Sequence, residues 1–395
     1  MLPSPFTFYR GTALNMAVDL AGTPTTAFRV QACGDAHLGN FRCFATPERQ
    51  VIFDIHDLDE TLPAPWEWDV KRLASSIVVA SRTNGFSDKL AREAVLKCVR
   101  SYREAMARFS TMRVLDVWYA RFEAERLVAE IEDADIRART RKSLIKAKEV
   151  CIVEDVFLKL ADTSSETPTI KENPPFIYHH LERGEEEFYA RIEEVFSRYR
   201  ESLPDDRRVL LDRYALMDKA IKVVGVGSVG TVCSVALLMA GQDDPLILQV
   251  KEARPSVLEA FAGPSVHPNH GQRVVNGHRL MQSASDIFLG WTQDKSGRHF
   301  YVRQLRDMKL KFRIERFKSA KLVLFAEWCG ATLARAHARS GEPALISGYL
   351  GNTDIFDRSI AAFAVTYADQ VERDHERFTR GVREGKIEAR LDESV

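Results

Sequence analysis

The sequence predicts an α+β protein of two lobes, with helical segments from both chain ends flanking a β-rich middle. Three observations predict it. The chain has 395 residues, enough to build two lobes with separate cores. Apolar residues recur at helical spacing from about Trp68 to residue 160 and again from about Phe317. Between about Ile221 and Leu305, β-branched and apolar runs alternate with glycine-rich or acidic turns, the pattern of strands and hairpins. The divisions expected are residues 1–215 and 311–395 as two parts of a helical lobe, and 216–310 as a β-rich lobe.

The elements follow in order. Phe28–Ala32 and Gln50–Phe53 read as strands flanking polar loops. Val70, Leu73, Ala74, Ile77 and Val78 fall on one helical face. Residues 87–160 continue as helix with charged outward faces. DTSSETPTIKENPP (162–175) is polar and proline-bearing and reads as a loop or linker. More helix is expected through about Leu211. Strands are predicted at Ile221–Val224, Val232–Met239 and Leu246–Val250. A further hairpin joins Ile287–Trp291 to His299–Leu305 around Asp294–Gly297. Leu322, Phe325, Ala326, Cys329, Leu333 and Ala336 then mark the apolar face of a late helix. There are no internal repeats.

Composition narrows the function classes. The 56 basic and 56 acidic residues give formal net charge +0, which argues against bulk electrostatic binding of nucleic acid. Cys33, Cys43, Cys98, Cys151, Cys233 and Cys329 form no CxxC pair, so neither a zinc site nor a disulfide framework is indicated. A reducing, cytoplasmic compartment is expected. The N-terminus MLPSPFTFYRG lacks the apolar core of a signal peptide. No apolar run approaches the roughly 18 residues that would span a bilayer, so no membrane partner is expected.

Residues 225–232 read GVGSVGTV, placing Gly225, Gly227, Ser228 and Gly230 between two strand-like runs. Glycine removes the Cβ and permits unusual φ, so backbone N–H groups can approach phosphates. A dinucleotide-binding loop would lead straight into a helix. Here Thr231–Met239 is strand-like, which favours the kinase version of the loop; the plain alternative is a tight hairpin turn. The next strand, LILQVKEA, ends near Lys251, where a kinase puts the lysine that pairs with nucleotide phosphates. A solvated strand-end lysine is the ordinary alternative.

CGDAHLGNF (33–41) carries Asp35 and, five residues on, Asn40; VIFDIHDLDE (51–60) brings Asp54, Asp57 and Asp59. Phosphoryl transfer needs a group to orient the acceptor hydroxyl and hard oxygen ligands for Mg²⁺. Asp35 suits the first role, and Asn40 with one or more of the later aspartates suits the second. Asx-turns in a polar loop are the simpler reading, but they leave unexplained why carboxylates cluster around apolar strands. The D-x-H pairs Asp35-Ala36-His37 and Asp54-Ile55-His56 also fit a dinuclear metallophosphoesterase. That reading leaves the glycine loop and Lys251 without a role.

FYRG, CGDAHLGNF, FDIHDLDETLP, WEWDVKRLASS, LQVKEA, FYVRQLRDMK and YADQ resemble, over nearly the whole chain, a bacterial family catalogued as domain of unknown function 2252. That family is itself similar to aminoglycoside-phosphotransferase-type kinases, in which a segment like HGDxHxxN precedes a strand, IDFDD and a helix. The resemblance implies a bilobal protein-kinase-like fold that binds ATP and Mg²⁺ and phosphorylates an acceptor hydroxyl. The resemblance implies a circularly permuted order, since Asp35 and Asn40 precede Gly225 and Lys251. The helix FAEWCGATLARAHA (325–338) then stands where a kinase helix leads into the catalytic loop. Asp57 is implied as principal metal ligand, Asp54 as the alternate and Asp59 as helper. Asp69 is expected to cap its helix and brace the catalytic loop; Cys33 stands where those kinases have the first histidine of that segment.

Several features remain. Phe300–Leu305 is assigned the interlobe hinge, its backbone at Arg303, Gln304 and Leu305 meeting adenine; an ordinary hairpin strand is the alternative. Glu259 is a candidate partner of Lys251. The basic stretches 308–318 and 137–148 are more often solvated faces than substrate contacts. Arg10 lies near the catalytic strand, and His337 reads as a packed helix residue. An active phosphotransferase acting on a small molecule or protein stands beside two alternatives, a nucleotide-binding pseudokinase and an AMP-transferring protein.

Overall fold

The computed structural model describes residues 1–395 except 150–156, 158, 165–166, 180–193, 224–230, 242–243, 306–309, 311 and 389–395. The protein is α+β. Its largest apolar cluster joins the two ends of the chain: Trp66, Ile77, Val95 and Tyr102 from the first part pack with Phe325, Leu333 and Ala364 from the last. Fully burying a valine, leucine, isoleucine or phenylalanine side chain of this kind contributes about 1.5–3 kcal/mol. The helices Asp88–Phe109 and Ser319–Ala338 run against each other here, and Trp66 stacks on Tyr102 with centroids 5.8 Å apart. The Trp66–Thr83 helix crosses the same cluster. Its face of Val70, Leu73, Ala74, Ile77 and Val78 is wholly buried, as the 3.6-residue spacing requires.

Two short antiparallel pairs lie over this helical body. Strand β1 (Arg29–Ala32) pairs with β4 (Leu62–Pro65), and β2 (Phe41–Ala45) pairs with β3 (Val51–Ile55). The loops after β1 and β3 carry the two aspartate-bearing motifs.

The other large unit is a six-stranded sheet, antiparallel throughout. Beyond the small pair β5 (Ala161–Asp162) and β6 (Thr169–Ile170), its strands are β7 (Ile177–Tyr178), β8 (Ala215–Lys222), β9 (Cys233–Met239), β10 (Pro245–Ala253), β11 (Gly290–Gln293) and β12 (His299–Gln304). They lie in the order β11-β12-β10-β9-β8-β7. Period-two alternation gives the sheet two apolar faces. Val235, Leu237 and Ile247 pack with Ile170 and Ile177 on one; Ala236, Leu238, Leu246 and Leu248 pack with Tyr199, Leu203 and Leu211 on the other. The helix His270–Met281 links β10 to β11 and packs on β11 and β12.

The structure corrects three expectations. Residues 162–175 are not all loop, because β5 and β6 form a pair closed by Ile170 N–H donating to Asp218 Oδ2 at 2.6 Å. Helix does not run unbroken to Leu211; Ile177–Tyr178 joins the edge of β8, so the sheet begins before residue 216. Ile287–Leu289 form a turn rather than a strand, held by Phe288 N–H donating to Asp286 Oδ1 at 2.8 Å. No described helix is long and apolar enough to cross a membrane.

Candidate functional site

The site grows from the cross-strand register of β10 and β12. Lys251 on β10 stands opposite Tyr301 on β12, and both project toward the loop that follows β3. The Lys251 ammonium lies 2.7 Å from Asp59 Oδ2 and 3.5 Å from Asp57 Oδ1. Tyr301 donates its hydroxyl to Asp59 Oδ1 at 2.6 Å. Lys251 is only 3% exposed, so burial works against its charge. Asp57 and Asp59 outweigh that cost and hold the ammonium protonated, well above the usual lysine range. Burial likewise opposes ionisation of Asp57, but Lys251, Arg303 and Arg42 hold it well below the ordinary carboxylate range. The side chains of Asp57 and Asp59 remain 43% and 32% exposed, so both carboxylates face outward as well as toward the lysine.

Asn40 fixes Asp57 from behind. Its Oδ1 accepts the Asp57 N–H at 2.7 Å and its Nδ2 donates to the Asp57 carbonyl at 2.7 Å. A third contact, Nδ2 to the Asp35 carbonyl at 3.2 Å, ties the two aspartate loops together. Asn40, expected as a metal ligand, is buried, and its Oδ1 and Nδ2 are both engaged on backbone, so it clamps the residue assigned to the metal instead.

Asp35 sits at the mouth of the first loop. Its Oδ1 is 2.5 Å from Arg72 Nη2 and accepts from Arg72 Nε at 2.7 Å; His37 Nε2 is 3.6 Å from Oδ2. Burial pushes the Asp35 carboxyl up to about 6; Arg72 opposes the rise and Asp57 adds to it. The loop turns at Gly34, whose φ is +78° and whose missing Cβ would lie 2.5 Å from the Glu60 carbonyl oxygen. Only glycine meets both demands. Asp69 accepts the N–H of Cys33 at 2.6 Å and of Gly34 at 2.9 Å, so it braces this loop. It does not cap its helix: the N-cap is Pro65, and Asp69 lies inside the first turn. His337 sits behind it, Nε2 3.0 Å from Asp69 and Nδ1 2.9 Å from the Tyr102 hydroxyl. This chain connects the loop to the late helix 319–338.

The remaining expected residues fall elsewhere. Asp54 is buried at 1% exposure, paired with Arg335 and accepting from Ser283 N and Oγ at 2.9 Å each. Its carboxylate is buried and taken up by these partners, which corrects its role as the alternate metal ligand. Glu259 does not pair with Lys251. It lies in the short helix Glu259–Ala262 and accepts from Ser256 N at 3.0 Å, with Arg273 Nε 3.8 Å away. Leu305 N–H donates to the Ile247 carbonyl at 2.8 Å and Gln304 N–H to Asp286, so these two hinge donors are spent within the protein. Arg303 reaches back to Gln249 Oε1 at 3.2 Å and the His56 carbonyl at 3.3 Å. Gly225, Gly227, Ser228 and Gly230 lie outside the described residues.

Residues that sequence reasoning missed do much of the positioning. Arg273, 2% exposed, donates to the carbonyls of Thr61 (2.7 Å), Asp59 (2.8 Å) and Arg254 (2.8 Å). It thereby fastens the aspartate loop to the strand bearing Lys251. Gly277 on the same helix allows that approach, since a Cβ there would lie 2.1 Å from the Thr61 methyl. Arg72 carried one signal: it sits within the apolar stretch of its helix, where an unpaired cation is costly.

A cavity of about 300 Å³ opens beside β12, among Phe44, His56, Leu246, His278, Phe288 and Arg303. The sequence predicts the crevice between the glycine loop and the Asp35–Asn40 loop instead. Lys251, Asp57 and Asp35 do not line this cavity, and the glycine-loop wall of the expected crevice lies outside the described residues. Among the described residues no group of three or more His, Cys, Asp or Glu side chains is arranged to hold a metal ion. Asp57 and Asp59 still fit Mg²⁺ that arrives with a polyphosphate, because such Mg²⁺ needs one or two protein carboxylates and takes its other ligands from phosphate and water.

Fold and site together define an α+β protein with a buried lysine from a β-sheet set against an aspartate loop on a helical body. The family model described as uncharacterised protein conserved in bacteria (DUF2252) matches residues 1–381, and the chain belongs to that family. No curated protein and no solved structure matches it.

Proposed function

We propose that the protein is an ATP- and Mg²⁺-dependent phosphotransferase with a circularly permuted, protein-kinase-like fold. The observation that carries this is the Lys251 ammonium between Asp59 at 2.7 Å and Asp57 at 3.5 Å, although some 190 residues separate them in the chain. Kinases place their phosphate lysine on the third strand, after a glycine-rich loop, and their metal aspartate on the opposing lobe. Counting from β8, Lys251 is on the third strand, and the β8–β9 connection carries Gly225–Gly230.

The roles follow. Lys251 and the glycine loop bind the phosphates of ATP. Asp57 and Asp59 would hold Mg²⁺, which supplies charge neutralisation at the β- and γ-phosphates when bound. Asn40 and Arg273 set the position of the aspartate loop. Asp35 orients the acceptor hydroxyl and takes its proton as the oxygen–γ-phosphorus bond forms and the bond to the β,γ-bridging oxygen breaks, releasing ADP. A cytoplasmic setting suits the five described cysteines, all buried and in the free thiol form. The dinuclear metallophosphoesterase alternative lacks a described ligand group.

The test is incubation with Mg²⁺ and ATP labelled at the α- or γ-phosphate, followed by mass analysis of every product. Label from the γ-phosphate in an acceptor is expected, and Lys251→Ala is expected to lower turnover by about 10²–10³-fold. Transfer of α-label would establish AMP transfer, and ATP binding with no transfer a pseudokinase. Unchanged affinity and turnover in Lys251→Ala would remove the assignment.

Asp35 also predicts a pH dependence. It acts as base only when ionised, and its carboxyl titrates at about 6 rather than 3.8. Turnover should therefore rise as pH increases through about 6 and level off above it. Because its folded value is raised, its contribution to stability is full below 3.8 and is lost as pH rises through about 6. A pH–rate profile without an acid limb near 6 would contradict the assignment of the base.

A further inference from the structure

The segment FYRG at the start of the chain has no part in the roles above, yet it places a cation against the catalytic loop. Arg10 follows the helix Pro5–Tyr9 as its C-cap. A Cβ on Gly39 would lie 3.3 Å from Arg10 Nε and 3.3 Å from His37 Nδ1, so the guanidinium and the imidazole meet over the same glycine. Both nitrogens are buried and neither has a hydrogen-bond partner. His37 is 6% exposed, and its other nitrogen is 3.6 Å from Asp35 Oδ2. Arg10 has no ion-pair partner among the described residues, in contrast to Arg72, whose charge is matched by Asp35 at 2.5 Å. Arg42 Nε donates to the Gly39 carbonyl at 3.4 Å.

A buried donor left unpaired costs free energy, and an arginine fork suits a carboxylate or phosphate that it can grip with two N–H groups. We infer that the acceptor is an alcohol carrying an anionic group, phosphate or carboxylate, which Arg10 and His37 bind so that its hydroxyl lies against Asp35. This rests on the phosphotransferase reading and adds the substrate class to it. Polycationic acceptors are disfavoured by the same charges. Burial together with Arg10 and Arg72 holds His37 well below the usual histidine range, so it stays neutral and offers one hydrogen bond while Arg10 supplies the charge.

Calorimetric titration of the full chain with sn-glycerol 3-phosphate, D-glycerate and neutral glycerol tests the inference. At least one anionic probe should bind where glycerol does not, more weakly at high salt. Arg10→Met should weaken that binding about tenfold or more, as expected for loss of a charged hydrogen bond, and Arg10→Lys should restore part of it. Thermal melting identifies a variant that has failed to fold, in which case the charge-retaining variant and the salt dependence decide. A parallel Mg-ATP titration separates the two claims. ATP binding with no preference for anionic over neutral probes, or equal affinity in a folded Arg10→Met protein, overturns the acceptor class alone. Anion binding at Arg10 without ATP binding overturns the phosphotransferase reading, and binding of neither overturns both.

Discussion

Replacing Asp35 with asparagine should lower turnover by about 10²–10⁴-fold while Mg-ATP affinity stays within a small factor of wild type. Asparagine keeps the oxygen that accepts from Arg72 Nε at 2.7 Å, so the loop retains its anchor, but the group can no longer take a proton. The lost charge leaves the buried Arg72 less well paired, and some thermal destabilisation accompanies the change. Turnover and melting temperature measured on the same preparation separate the two effects. Full turnover in a folded Asp35→Asn protein would remove Asp35 from the reaction.

The largest stability effect is expected at Arg335→Met. Arg335 and Asp54 are each 1% exposed and pair with one another, joining the late helix 319–338 to β3. Removing one partner leaves a buried carboxylate whose remaining contacts are Ser283 and its neighbour Ile55 N–H at 2.8 Å. Breaking such a pair typically costs about 3–5 kcal/mol. Denaturant unfolding should show that loss, and the double variant Asp54→Asn, Arg335→Met should recover part of it because the uncompensated charge is gone. A single variant as stable as wild type would show that the pair contributes little.

The same pair shows what could be read in the sequence and what could not. The segment VIFDIHDLDE marks Asp54, Asp57 and Asp59 as special but does not divide their roles. The division depends on Asp54 lying within β3 while Asp57 and Asp59 lie in the loop beyond it, and on what comes from elsewhere: Arg335 beside Asp54, Lys251 beside Asp57 and Asp59. Asp69 was legible as the brace of the Asp35 loop because its helix follows that motif closely. Its position inside the first turn was not, since the start of the helix is set by β4 ending at Pro65. The main sheet was legible wherever strands were long and apolar, as in β9 and β10. Two-residue strands such as β7 carry no period of their own and form only because β8 offers an open edge. Tyr301 and Arg273 were silent because a tyrosine in a strand and an arginine in a helix are ordinary; strand register and helix packing give them their work.

The account depends on Lys251, Asp57 and Asp59 forming one phosphate- and metal-binding centre. Isothermal titration of the full chain with ATP, with and without Mg²⁺, tests that most directly. Saturable binding strengthened at least about tenfold by Mg²⁺ is predicted, since Asp57 and Asp59 repel the polyphosphate unless a cation lies between them. In Asp57→Ala that Mg²⁺ enhancement should disappear. Failure of the wild-type chain to bind ATP under either condition, or binding indifferent to Mg²⁺ in both proteins, would contradict the account.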